Sequence, residues 1–438
     1  MLFAFEQLGL LQRVILVLSV IVSGLLAIYA VHVWALTVLA FRKKKCPAAS
    51  PPSVWPSVSV HVPVYNEKSV VSRLLDSLVA IDYPHNRLEI IVVDDSNDGT
   101  TELLLSYQER YPGLVTVIHR ERREGFKAGA LQRALERSKG EFLAIFDADQ
   151  VPPSDFLRRM IPYLYSGDTV AFAQARPAYA HNGNSWVARA LSLGMDSFAF
   201  VDQGARFSAD LLTHFSGGGG IFRREAITGV GGWDSHTLAE DLDLSIRLKL
   251  NGWSYVYDDA VACPGVPPTS FQILRQQQFR WASGFAGCLK KHLRSLIKTR
   301  QMSLMRKAEA LIYLTGYVAS PLIAIGVLLA VLYCLVFPLD FILNGFRQNS
   351  LAAFTVVTSA LIYTAPLALF AVAVFRSTNG WRCRAKRIID LAYLGVLSMA
   401  IFVTSARAVL NGFLDKATYF YRTPKQRDVT VSASRSLG

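Results

Sequence analysis

Residues 88–100 read LEIIVVDDSNDGT: a β-branched apolar run interrupted only by Glu89, then two aspartates, then turn-forming residues. A short apolar run bounded by turn signals is the pattern of a buried strand. Asp98, ahead of Gly99 and two threonines, suits the cap of a following helix. Asp94 and Asp95, right at the strand tip, are more than a turn requires. The same pattern recurs on both sides, with strands expected at VSVHVPVY (58–65), LVTVIH (114–119) and EFLAIFDAD (141–149). Helical patterns fill 67–80, 99–110 and 125–139. This βαβα rhythm predicts a Rossmann-like α/β domain, a mostly parallel sheet covered by helices, with ligands at the carboxyl ends of its strands.

Polar residues gather at those ends. Asp147 and Asp149, in FDAD, end an apolar strand one residue apart, a spacing that points both carboxylates to one side. Such a pair suits a hard divalent cation, Mg²⁺ or Mn²⁺, shared with diphosphate oxygens, although most D-x-D triplets are surface turns or caps. HVPVYNE ends in Asn66 and Glu67, with Tyr65 offering an aromatic face to a base. Three polar strand tips suggest one pocket for a nucleotide diphosphate held through metal. Lys127, between Gly125 and Gly129 at a helix start, could reach a phosphate; a solvated lysine is the plain alternative. Gly217–Gly220 lack phosphate-loop spacing, leaving a flexible turn or a close backbone approach to a sugar ring.

Further along, TLAEDLDLSIRLKLNGW places Leu242, Ile246 and Leu250 on one helical face. Glu240, Asp241 and Asp243 fall in the first turn, where capping explains a carboxylate and where Asp241 is also poised as a general base. In RQQQFRWASGF, Gln277, Arg280 and Trp281 lie at i, i+3 and i+4 of a helix starting near Thr269. Arg280 could neutralise a departing diphosphate and Trp281 could face a sugar ring; a membrane-interface Arg and Trp is the other reading.

The ends of the chain have a different character. Mean hydropathy is +0.29, high for a soluble enzyme, and the excess is terminal. Residues 14–41 carry only His32 as a possible charge and exceed the roughly 20 residues needed to cross a bilayer. Residues 310–338 and 351–375 are further spans, while 388–414 is broken by Asp390, Arg407 and Asn411. Arg42, Lys43, Lys44 and Lys45 orient the first span with the central domain in the cytoplasm. The basic group Arg376, Arg382, Arg384, Lys386 and Arg387 does the same for the third. With the tail basic as well, 388–414 is expected to lie at the interface rather than cross. The organisation is then an anchor (1–45), a central domain with interfacial helices (46–300) and C-terminal membrane and interfacial helices with a basic tail (301–438). The net charge of +13 lies largely beside membrane segments, where it attracts anionic lipids; without a nucleic-acid motif, no nucleic-acid partner is expected. Five cysteines without paired spacing read as reduced thiols.

In their order, YNE, VVDDSNDGT, GFKAGAL, FDAD, GGGG, AED and QQQFRW resemble the family 2 processive β-glycosyltransferases, above all the cellulose-synthase-like mannan and glucan synthases and their bacterial relatives. The likeness runs from about Val58 to Leu289 and returns in YFYRTPK (419–425). It implies a GT-A domain on an α-helical transmembrane platform in an inner or plasma membrane. It also implies inverting transfer of a hexose from UDP-glucose or GDP-mannose onto a growing β-linked polysaccharide. By this resemblance Glu67, Asp94 and Asp95 contact the nucleoside, Lys127 touches the diphosphate, and Asp147 and Asp149 hold metal and diphosphate. Asp241 is then the base, and Gln277, Arg280 and Trp281 bind the diphosphate and the acceptor end. Ala239 and the run of glycines depart from the family pattern, and only two clear spans follow the central domain. A non-processive synthase acting on a ceramide or diacylglycerol acceptor, and an inactive nucleotide-sugar-binding subunit, are the rival readings. Partner subunits are left open.

Overall fold

The computed structural model describes residues 9–42, 50–180, 185–268, 270–337 and 350–414. The tail motif YFYRTPK and the basic residues Lys43–Lys45 lie outside them. Seven strands form one sheet in the order β3-β2-β1-β4-β6-β5-β7. β1 (Val58–Val64), β2 (Leu88–Asp94), β3 (Val115–His119) and β4 (Phe142–Ile145) pair in parallel. β6 (Gly220–Arg223) runs antiparallel to β4 and to β5 (Val170–Tyr179), and β7 (Ser254–Gly265) lies parallel to β5. β1 and β2 are buried almost continuously because helices cover both faces; β2 accordingly reads as an apolar run, whereas β1 alternates valines with Ser59 and His61, which are buried all the same.

The helices are α1 (Leu10–Leu39), α2 (Val71–Val79), α3 (Thr100–Arg110), α4 (Phe126–Arg137), α5 (Phe156–Leu164), α6 (Trp186–Ser197), α7 (Gly204–Ser208), α8 (Arg224–Gly229), α9 (Glu240–Leu250), α10 (Phe271–Lys298), α11 (Leu304–Leu314), α12 (Ala319–Val336), α13 (Ser350–Ser377) and α14 (Trp381–Phe413). α2, α3 and α4 begin and end close to the helical patterns read from sequence, and Asp98 caps α3 through the Thr100 amide. α9 is buried on two sides. Leu244 and Leu248 join the sheet core, while Leu242 and Ile246 pack with Cys288 and Leu289 of α10.

Among the described residues, four helices are long and apolar enough to cross a membrane: α1, α12 with its preceding turn, α13 and α14. α1 packs against α12 and α13. α14 is one uninterrupted helix, and Asp390, Arg407 and Asn411 do not break it. Its most extensive packing is along α10, in parallel and in step. Leu397 joins Leu274, the Ser283 hydroxyl donates to the Ala408 carbonyl at 2.9 Å, and Lys290 donates to the Phe413 carbonyl at 3.2 Å. At the other end of α14, Asp390 takes Arg189 at 2.6 Å, which pins the helix to α6.

Candidate active site

The register pairs Val64 with Asp94 and Asp94 with His119, so the tips of β1, β2 and β3 stand level. Asp94 is fully buried. It accepts from the Ser96 amide at 3.0 Å and the Thr101 hydroxyl at 2.6 Å, and meets His119 Nδ1 at 2.9 Å. It braces three elements. Asp95 receives Arg120 in bidentate fashion, Nε at 2.7 Å and Nη2 at 2.6 Å, and Arg120 also donates to the carbonyls of Glu124 and Phe126. That fork folds the 120–126 loop back over the strand tips. The Arg123 guanidinium consequently lies on the Tyr65 ring, 3.6 Å from its centroid, and 3.8 Å from Asp95. Tyr65 does present an aromatic face, in stacking contact with a planar cation. Glu67 is buried beside it, its carbonyl accepting the amides that start α2.

The D-x-D triplet departs from the expected geometry. β4 stops at Ile145, so Asp147 and Asp149 sit in a turn closed by the Gln150 amide on the Asp147 carbonyl. A turn abolishes the two-residue alternation of a strand, and the carboxylates find different partners. Asp147 Oδ1 receives Lys127 Nζ at 2.6 Å and its side chain remains 35% exposed. Asp149 is buried and accepts the Val266 amide at 2.7 Å, across the start of the segment after β7.

Lys127 also donates to the Gly217 carbonyl at 2.8 Å and stands 3.6 Å from Glu240. Burial alone would lower its proton affinity, but Asp147, Glu240 and Asp241 outweigh burial and raise it, so it is a cation at any ordinary pH. Gly217, at φ +82°, is the hub of this cluster. A Cβ on it would lie 3.3 Å from Lys127 Nζ, 3.4 Å from Asp241 Oδ2 and 3.9 Å from Asp147 Oδ2. Of the four glycines this one faces the site. Gly218 and Gly219 are packed against Gln150 and Cys263.

α9 brings Glu240 and Asp241 to the opposite wall. Asp241 Oδ1 accepts the Leu242 amide at 2.7 Å. Burial raises the proton affinity of both carboxylates, against the opposing pull of Lys127 and Arg280. α10 starts at Phe271, with Ser270 capping it through the Ile273 amide, and holds Gln277, Arg280 and Trp281 half-buried. The Gln277 side-chain oxygen is buried without a hydrogen-bond partner among the described residues. Arg280 acts electrostatically on Glu240, Asp241 and Arg123, so it lies within charge range of the α9 carboxylates and of the loop over the strand tips.

Lys127, Asp147, Asp241 and Arg280 thus meet in one cleft beside Tyr65 and Asp95. Glu240 and Gly217 belong to it as well. In sequence the first suits a cap and the second is one of four like glycines, and only the approach of distant segments distinguishes them. Among the described residues no group of three or more His, Cys, Asp and Glu side chains forms a metal cage. The half-exposed Asp147 beside the buried Asp149 fits a cation that takes one or two protein carboxylates and completes its shell on substrate phosphates.

The family model described as "Glycosyltransferase like family 2" matches residues 56–284, just over half of the 438. Glucomannan 4-beta-mannosyltransferase 1 of Oryza sativa subsp. japonica is 33% identical over 293 residues, 65% of this chain and 56% of that protein. Glucomannan 4-beta-mannosyltransferase 7 of Arabidopsis thaliana is 34% identical over 270 residues, 60% and 48% of the two. The chain therefore spans about half the length of the curated relatives it matches. Among solved structures, the mannosyltransferase PcManGT from Pyrobaculum calidifontis, in complex with GDP-Man and Mn²⁺, superposes with a TM-score of 0.55 at 21% identity. That alignment covers 91% of this chain and all of PcManGT, a likeness of fold.

Proposed function

Given that the chain belongs to glycosyltransferase family 2, we propose that it moves a hexose from a nucleotide diphosphate sugar onto a β-linked polysaccharide, with inversion at the anomeric carbon. The observation that carries this reading is the Asp241 carboxylate, half-buried and raised in proton affinity, opposite Lys127 and Asp147 across Gly217. The names of the curated relatives, and the GDP-Man in PcManGT, favour GDP-mannose over UDP-glucose as donor.

The base stacks at Tyr65, exchanging with or resting on Arg123, and Asp95 borders the nucleoside. Lys127 and Arg280 flank the diphosphate, and fixed cations in a desolvated cleft stabilise charge as it develops on the leaving group. Asp241 takes the proton of the acceptor hydroxyl as that oxygen attacks from the face away from the nucleotide. Gln277 offers its side-chain carbonyl oxygen to an acceptor hydroxyl, and Trp281 offers a face to the acceptor ring. Asp147 and Asp149 would hold Mg²⁺ or Mn²⁺, which supplies further neutralisation of the diphosphate. The basic residues after the first span support a cytoplasmic catalytic domain. The in-step packing of α14 on the polar α10 supports an interfacial rather than a crossing α14.

The test uses protein in nanodiscs with Mn²⁺ or Mg²⁺ and radiolabelled GDP-mannose or UDP-glucose, with and without lipid acceptor. A ladder of β-linked oligomers from GDP-mannose is expected. A single labelled lipid would replace the polymer reading with glycolipid synthesis. Nucleotide-sugar binding without turnover would make the chain a binding subunit.

A further inference from the structure

Asp243 stands two residues beyond Asp241, about 200° further round the helix, and faces away from the cleft. It is completely buried. Its Oδ1 receives Lys291 Nζ at 2.6 Å and meets His292 Nε2 at 2.7 Å, and its Oδ2 receives Arg247 Nε at 2.8 Å. Lys291 also reaches Asp234 at 2.6 Å, in the loop that leads into α9. Arg247 donates to the Val230 carbonyl at 2.6 Å, at the other end of that loop. The loop is tied in turn to the Lys127 helix, where Gln132 accepts the Trp233 amide at 3.0 Å. Asp241 is therefore gripped on both sides through one hub.

The gripping residues share a helix with the acceptor-side residues. On α10, positions 277, 280, 281, 284, 288, 291 and 292 follow one another by three or four residues or directly, and so form a single stripe. Gly284 lies against Ala239, where a Cβ would come within 2.8 Å of the Ala239 Cβ. Cys288 reaches the Ala239 carbonyl at 3.7 Å. From Arg280 to His292 is about 18 Å of helix at 1.5 Å per residue.

We propose that Asp243, held by His292 and Lys291, is a positioning residue that fixes the base carboxylate of Asp241 relative to Gln277, Arg280 and Trp281. α10 is then a rigid rule, anchored to the base helix at its C-terminal half and presenting the leaving-group and acceptor residues from its N-terminal half. This rests on the glycosyl-transfer reading and deepens it. Proton removal and leaving-group stabilisation need one frame, since a displacement of about 1 Å far from the chemistry can cost about a hundredfold in rate.

The experiment compares the full chain in nanodiscs with His292→Leu, His292→Gln and Lys291→Met. His292→Leu is expected to lower transfer at saturating donor by roughly ten- to a hundredfold while donor Kd stays within about twofold. Lys291→Met is expected to act in the same direction, and His292→Gln, which keeps a donor for Asp243, to recover most of the rate. A second readout is independent of turnover. Spin labels at Asn251→Cys and Arg294→Cys, with Cys46, Cys334 and Cys383 replaced by Ser, are expected to show a broadened distance distribution in His292→Leu. Unchanged transfer, a parallel loss of donor binding, or an unchanged distance distribution would each overturn the proposal. A wild-type chain that turns over no nucleotide sugar would fail the functional reading alone, and the spin-label distances would still decide the positioning role.

Discussion

At Asp241 burial favours the protonated carboxyl, while Lys127 and Arg280 pull the other way without cancelling it. The folded carboxyl therefore loses its proton above the ordinary aspartate value of about 3.9. A base must be ionised, so transfer at saturating donor is expected to rise with pH along a limb displaced upward from that value. A limb at or below about 4 would count against Asp241 as base. Asp241→Asn is expected to cut transfer by about a hundred- to ten-thousandfold and leave nucleotide binding intact. Gly217 allows a controlled comparison, since Gly113 has nearly the same φ, +83° against +82°, but open space around its Cβ position. Alanine at either costs about 1–2 kcal/mol of left-handed strain. Only Gly217→Ala adds a methyl beside Lys127 and Asp241, so thermal stability should fall similarly in both and transfer in Gly217→Ala alone. The acids in AEDLD were visible as a group in the sequence. That Asp241 faces the cleft and Asp243 faces α10 follows from helix phase together with what packs on each side, and the second half of that is not local information.

For whole elements, the decisive contact is α14 on α10. Gly412 lies so close that a Cβ would stand 2.5 Å from the Ser283 carbonyl oxygen and 2.7 Å from the Ala286 Cβ. Gly412→Ala must push the two helices apart, and overpacking of this kind costs about 1–3 kcal/mol. Its melting temperature in nanodiscs should drop, whereas Gly395→Ala, on the same helix with nothing within 4 Å, should not lower it. Equal behaviour of the two would mean that α14 is not locked to α10. Strand recognition from sequence worked for β1 to β3 to within a residue or so, because each is a short segment rich in β-branched residues between turn formers. It overran at β4, where the apolar character of Phe146 and Ala148 continued into a turn and carried the two aspartates with it. β6 escaped notice because it is four residues long and follows glycines. Its strand character comes from pairing with β4 and β5, which no local pattern announces.

Across the molecule, the membrane helices are joined to the sheet domain through buried charge. Arg206 is held by Asp202 at 3.0 Å and Glu309 at 2.7 Å, and Glu309 also meets His32 of α1 at 3.0 Å. Glu309→Leu removes the carboxylate that Arg206 and His32 share. Breaking a buried ion pair from one side typically costs about 3–5 kcal/mol, so this variant should melt much earlier than wild type. An unchanged melting temperature would show that the link carries no stability. Asp243 and Glu309 are both held below the usual carboxylate range; burial by itself would raise them, but His292, Lys291 and Arg247 outweigh it at Asp243, and Arg206 and His32 do so at Glu309. Each therefore contributes stability that is complete above the unfolded carboxylate values of about 4 and is lost as pH falls through the lower folded values. In thermal stability measured from neutral pH downward, their loss should add, from about pH 4, to a shallower decline that starts near 6.5, where the unfolded chain begins to protonate His61 and His214 while burial keeps both neutral in the fold. The absence of any further loss below about pH 4 would show that Asp243 and Glu309 carry none of it.

Local pattern was enough to establish the parallel α/β half of the domain, the acidic strand tips and the apolar spans. Each depends on residues within one strand, one turn or one helical face, where side-chain period and turn chemistry act directly. Which tips share a cleft was not local. Lys127, Asp147, Gly217 and Asp241 come from four separate elements, and they converge because antiparallel β6 inserts between β4 and β5 and because α10 packs α9 against the sheet. Long-range packing also divided the paired acids, leaving Asp94 and Asp243 as braces while Asp147 and Asp241 face the cleft. A carboxylate's role depends on its partners, and those partners are brought to it by the folded chain.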